Sequence, residues 1–232
     1  MTEIERGSLS TNYQLDPIKR WPTPVAKSWV DNFLRRSQSD DNVRAVVAVG
    51  SSVRSDVPSA DLDLVVLASD PKLFSARPPL EIDLRTYALG QVDELIRSGN
   101  DLLGWSVTFG KVLLQKAGCW DAIVSQWQGR VPLPSLEIAS KRAAEALMRL
   151  RKMLEIGDRD AAREQAISYV THLARSRLVR EGTYPASRPE LPIQLRAIGC
   201  EKLASILDGL LTGKIEDLHS VERLRADDDS SY

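Results

Sequence analysis

Two aspartates two residues apart, Asp61 and Asp63, sit in an otherwise apolar run, Asp-Leu-Asp-Leu-Val-Val-Leu. No other feature of the chain constrains its fold as tightly. Successive side chains of a β-strand alternate faces, so both carboxylates project to one face while Leu62, Leu64 and Val66 project to the other, toward a core. Carboxylates are poor strand formers, and like charges on one face repel. A strand that keeps them needs a cation to offset the repulsion, and a hard, oxygen-seeking ion such as Mg²⁺ suits such a pair. A third acid, Asp83, recurs between Ile82 and Leu84 in a second short strand-like run.

Upstream, Val-Arg-Ala-Val-Val-Ala-Val over 43–49 reads as a buried strand that ends in Gly50-Ser51. A strand closing in Gly-Ser offers backbone N–H groups and a hydroxyl to an anion. Taken alone, the same glycine could simply permit a turn at positive φ.

The ordered set Gly50-Ser51, Asp61-Leu62-Asp63 and Asp83 resembles the nucleotidyltransferase superfamily named for DNA polymerase beta. The resemblance is close over residues 43–87 and extends loosely to 115. It implies a mixed α/β fold (α+β), with a nucleotidyltransferase sheet, flanking helices and a C-terminal helical bundle. It also implies roles. Asp61 and Asp63 would hold a Mg²⁺ that bridges the phosphates of a nucleoside triphosphate (NTP), and with Asp83 a second Mg²⁺ serving the attacking hydroxyl. Ser51, beside Gly50, would contact the triphosphate. Compact members follow Gly-Ser with a small residue and Arg-Gly; here Arg54 matches and Ser55 replaces the glycine. Arg54 could pair with a phosphate, with Asp56 or with Asp61. Ser59 stands two residues before Asp61, where many members place a serine directly before the acid.

Weaker signals surround this set. Arg85 shares a strand face with Asp83 and Glu81 and reads as a local ion-pair partner. Lys111 follows Gly110 at a strand start, either solvated or neutralising phosphate charge. Trp105 and Phe109, four apart on a helical stretch, read as core before they read as a base-stacking platform. His172, on a helix near Tyr169, reads as structural rather than as a general base.

The organisation along the chain separates two halves. Residues up to about 16 are polar and expected to be poorly ordered or draped over the surface. Helices are expected over 25–36, 91–98 and 101–109, and strands over 43–49, 61–67, 80–87 and 111–115. Pro132-Leu133-Pro134 marks a boundary between a catalytic domain over 1–131 and a helical domain over 132–232. Beyond it, long helices are expected to about 156 and over 158–180, the second with Ala162, Ala166, Val170, Ala174 and Leu178 as a packing stripe. Shorter helices follow over 201–211 and 216–225.

The proline-fixed segment 182–192 between helices resembles, with those helices, the C-terminal domain of the antibiotic (aminoglycoside or kanamycin) nucleotidyltransferases. Those enzymes bind the acceptor with a helical domain that often carries a carboxylate base, which here would be Glu190 or Glu181.

The implied activity is Mg²⁺-dependent transfer of a nucleoside monophosphate from an NTP to a hydroxyl. The acceptor would be a small aminoglycoside-like molecule or a protein side chain. The alternatives are a regulatory or toxin–antitoxin type nucleotidyltransferase that modifies a protein or RNA, and a catalytically inactive nucleotide-binding module. A net charge of −1 leaves no electrostatic footprint for nucleic acid. No apolar run approaches the roughly 20 residues of a membrane span. The N-terminus lacks a signal-peptide pattern, and the cysteines, Cys119 and Cys200, have no partnering signature. Together these readings expect a cytoplasmic protein, and a cleft between two domains leaves room for a homodimer.

Overall fold

Val43–Val49 is apolar except for Arg44 and forms strand β1, buried on both faces. That composition suits the centre of a sheet and not its edge. The computed structural model describes residues 13–54 and 61–224. It divides into two compact units, Met1–Val131 and Pro132–Tyr232.

In the first unit β1 lies beside β2 (Leu62–Ala68), followed in sequence by β3 (Ile82–Ala88) and β4 (Lys111–Gln115). The spatial order is β3-β2-β1-β4, with β1 antiparallel to both neighbours and β3 parallel to β2. A mixed sheet of this kind requires a crossover between β2 and β3, supplied by the proline-rich segment that contains Pro71, Pro78 and Pro79.

Each sheet face is covered. Leu62, Leu64 and Val66 pack with Val46, Ala48 and Leu113 under helix α1 (Pro24–Ser39). Thr23 caps α1 through its hydroxyl, and Pro24 occupies the first turn, where its missing N–H costs nothing. The opposite face gathers Val47, Val49, Val65 and Leu67 against α2 (Val92–Arg97), α3 (Asp101–Phe109) and α4 (Cys119–Trp127). Helix α4 has no counterpart in the sequence reading. Its nine residues carry Trp120, Ile123 and Trp127 at spacings of three and four, a pattern short enough to pass for a loop.

The described part of the N-terminal segment takes the second of its two expected courses, lying over the sheet. From residue 13 it is pinned to the sheet, with Tyr13 bridged to Leu114 and the Gln14 amide donating to the Leu113 carbonyl at 2.8 Å. The Tyr13 hydroxyl donates to Asp31 at 2.8 Å.

The second unit is all helical: α5 (Leu136–Glu155), α6 (Arg159–Arg180), α7 (Leu191–Ala197), α8 (Glu201–Leu211) and α9 (Leu218–Glu222). Ser135 and Asp158 cap α5 and α6 through their side chains. Ala162, Ala166, Val170, Ala174 and Leu178 are all fully buried. Small residues on that stripe let α5 lie close, and Ser140 and Ser176 hydrogen-bond across the pair at 3.2 Å.

His172 lies within the electrostatic reach of Arg175 on its own helix, Arg142 on α5 and Arg188 on the following loop, with Glu145 as the opposing charge. Burial first, and then those arginines, push its imidazolium pKa down to about 4. The folded state therefore holds His172 neutral, and its stabilising contribution is present above about pH 6.5. That contribution drains away as pH falls toward 4. His172→Gln is expected to match the wild type at pH 7.5 and to exceed it at pH 4.5. The margin should be about 1–2 kcal/mol after solvent screening, read from thermal or urea unfolding of the helical signal at the two pH values.

Candidate active site

The antiparallel register of β1 and β2 sets Val49 opposite Asp63, and the parallel register of β2 and β3 sets Asp63 opposite Asp83. The C-terminal end of β1 and the N-terminal ends of β2 and β3 thus meet at one end of the sheet. Register partners share a face, so Asp63 and Asp83 stand side by side on the face that Val65 and Leu67 continue inward. Asp61, two residues before Asp63 and just ahead of β2, is exposed, and its carbonyl accepts the Ser52 hydroxyl at 2.7 Å. That bond ties the acidic strand to the turn after β1.

Gly50 is the hinge of this arrangement. It adopts φ +87°, and a Cβ built on it would lie 2.6 Å from Asp63 Oδ2. Both the backbone and the close approach therefore require glycine. Ser51, Ser52 and Val53 follow as a single 3₁₀ turn, with Ser52 and Val53 buried beneath it.

Electrostatics at this end of the sheet are adverse. The Asp63 carboxyl pKa is pushed up to about 6, first by burial and then by the negative charges of Asp61 and Asp83, while Arg85 opposes the rise. Asp83 has a local counterion: Arg85 grips it with Nε at 2.9 Å and Nη2 at 3.0 Å. Both members of that pair are about half exposed, which makes the clasp weak and exchangeable.

The acids suit a hard divalent cation by donor type, and among the described residues Arg85 is the one cation that lowers the pKa of the partly desolvated Asp63 carboxylate. As placed, however, no group of three His, Cys, Asp or Glu side chains among the described residues converges on one point. Asp83, drawn to Arg85, would have to turn back toward Asp63 to complete a shared site.

The remaining sequence candidates separate clearly. Arg54 leaves the turn with its guanidinium carbon 4.2 Å from the centre of the Phe109 ring. Lys111 pairs with Ala48, whose side chain belongs to the α1 side of the sheet, so it starts from the face opposite Asp63. Ser55, Asp56 and Ser59 lie outside the described residues.

In the helical unit, Glu190 accepts the Ser187 hydroxyl at 2.5 Å and the Ser187 amide at 3.3 Å as the acid of a capping box. Glu181 pairs with Arg177 at 3.3 Å, one turn away. Both carboxylates thus have local structural duties. The 182–192 segment is held by Gln194, which accepts from the Ala186 amide at 2.8 Å and donates to the Tyr184 carbonyl at 3.0 Å. Sequence reasoning missed the close approach of Gly50 to Asp63, because only the strand register reveals it.

No family model and no curated protein matches the chain. Among solved structures, it is similar to a nucleotidyltransferase-like protein from Exiguobacterium sibiricum at 14% identity, over 85% of this chain and 74% of that one, with a TM-score of 0.39. Among the described residues no helix is long and apolar enough to cross a membrane.

Two variants test this geometry. Gly50→Ala must force Asp63 aside and adopt a left-handed backbone, and should lower unfolding free energy by about 1–3 kcal/mol in denaturant titration. Asp63→Asn should act oppositely when divalent ions are chelated. A raised carboxyl pKa means that ionised Asp63 costs stability as pH climbs from about 4 through 6, and the cost is complete above that. The variant should therefore be more stable than the wild type at pH 7.5, by up to about 2 kcal/mol allowing for partial exposure, and equal to it at pH 4.

Proposed function

We propose that the chain is a Mg²⁺-dependent nucleotidyltransferase that moves a nucleoside monophosphate from an NTP to a hydroxyl acceptor. The reading rests on one observation above all: Asp63 and Asp83 are register partners on parallel strands, next to a glycine whose missing Cβ admits the Asp63 carboxylate. Adjacent acids of this kind are electrostatically unfavourable without a cation, and the Asp61 and Asp83 charges add to the larger effect of burial in raising the Asp63 carboxyl pKa.

In this reading Asp61, Asp63 and Asp83 would hold the metal, two ions in the full site. Bound there, Mg²⁺ supplies neutralisation of the triphosphate and acidification of the attacking hydroxyl. The chain's own groups do the rest. The turn at Gly50 and Ser51 presents backbone N–H and hydroxyl groups to phosphate oxygens. Asp61, Asp63 and Asp83, as ligands of the cations they would hold, would set the reactants for in-line displacement. A hydroxyl oxygen bonds to the α-phosphorus, the bond from that phosphorus to the bridging oxygen breaks, pyrophosphate leaves, and the hydroxyl proton passes to solvent.

The acceptor is a small hydroxyl compound, aminoglycoside-like in type, or a protein side chain. The helical unit is its proposed binding domain, and within it Glu190 and Glu181 serve capping and ion pairing rather than as bases. A second reading, a nucleotide-binding module without catalysis, is favoured by one feature only: Arg85 clasps the carboxylate that would serve the nucleophile.

Calorimetric titration of each NTP in Mg²⁺ separates the two readings. The wild type is expected to bind with micromolar affinity that EDTA abolishes, and Asp63→Asn to weaken binding at least about tenfold. Asp83→Ala should retain substantial binding yet lose pyrophosphate release in the presence of a competent acceptor. Activity that survives Asp83→Ala would remove that residue from the mechanism.

A further inference from the structure

Helix α3 ends directly over the acid-bearing face of the sheet. Its terminal Gly110 amide donates to the Ser106 carbonyl at 2.7 Å, and a Cβ at Gly110 would meet Val47 Cγ1 at 2.8 Å. Val47 and Val49 project to the same face, and Val49 is the register partner of Asp63. The last side chain of α3, Phe109, is thus brought to the end of the sheet where the turn at Gly50 begins.

Trp105 and Arg54 both touch that ring. Trp105, one turn earlier and packed on the core of this face, holds the Phe109 ring at 5.1 Å between centroids with a 56° tilt. Arg54 places its guanidinium carbon over the same ring, 4.2 Å from its centre. Arg54 is the residue at which the 3₁₀ turn after Gly50 and Ser51 ends.

We infer that Phe109 is a positioning residue: its ring, braced by Trp105, holds the Arg54 guanidinium at the phosphate-binding turn, ready to engage the β- and γ-phosphates of an NTP. The inference rests on the nucleotide reading above and adds a residue to it. A free arginine side chain at a loop end loses much rotamer freedom when it captures a phosphate, and a planar guanidinium stacked on an aromatic face has given up that freedom already. A guanidinium held over an aromatic ring by cation–π attraction can still direct N–H donors to a phosphate, so ring contact and phosphate bonding are compatible. A nearby cation also offsets the charge brought by a triphosphate to a site that already carries Asp61, Asp63 and Asp83.

The test is a double-mutant cycle read by calorimetric binding of the tightest NTP, and of its monophosphate, in Mg²⁺. Phe109→Leu is expected to weaken NTP binding about fivefold and leave the monophosphate unchanged, and Phe109→Tyr to stay within about twofold of the wild type. Arg54→Gln should weaken NTP binding by about tenfold or more, and adding Phe109→Leu to it should cost nothing further. Phe109→Met, closer in volume, repeats the measurement if the leucine variant unfolds early. Equal NTP affinity in wild type and Phe109 variants, or a Phe109 effect that persists at full size without Arg54, overturns the inference while the nucleotide reading stands. A wild type that binds no NTP overturns both.

Discussion

One steric allowance organises the first unit: the Asp63 carboxylate occupies the space that a side chain at Gly50 would fill. Because Gly50 ends β1 and Asp63 faces Val49, the allowance fixes where the central strand stops and how the following turn leaves the sheet. It also draws a charged group to a place where water is scarce and two other acids are near. The sheet bears this cost at one end only. Beyond Asp63 the same face becomes Val65 and Leu67, fully buried, and behaves as an ordinary core. Polarity is therefore concentrated where β1 ends and β2 and β3 begin, and the helices on that side cover the rest.

Much of this was legible in the sequence. The alternation of acids with leucines assigned β2 and its faces, and the apolar run before Gly50 assigned β1. The five-residue stripe from Ala162 to Leu178 assigned the packing face of α6. These signals are periodic and local, so they survive without knowledge of partners. What the sequence hid were relations between strands and between loops. Nothing in the order of residues states that Asp83 lies opposite Asp63, since a parallel pair depends on a crossover whose length and path are free. Lys111 illustrates the same limit. Its position at a strand start was readable, but its face depended on a register shift between Val46 and Val47.

The polar loop before α7 shows how function-like composition arises from structural need. Tyr184, Arg188 and Glu190 in a proline-fixed segment resemble a binding loop, yet Ser187 and Glu190 close a helix start and Gln194 ties the backbone down. A capping carboxylate is indistinguishable from a catalytic one until its hydrogen-bond partners are known. His172 is a parallel case: burial first, and then nearby arginine charges, keep this helix-face histidine neutral.

The sheet has two free edges, and they are closed by different means. At β4, residues Tyr13 and Gln14 bridge and hydrogen-bond to the strand, so its outer backbone groups are partly taken up by the chain itself. At β3 no described residue pairs with the outward side, and Asp83 and Arg85 are exposed on that strand. Charged side chains on an open edge discourage a second copy from adding its own strand there. The Arg85–Asp83 pair is thus charge of the kind that deters strand addition, and a substitution of Arg85 made to release Asp83 would remove half of it from that strand.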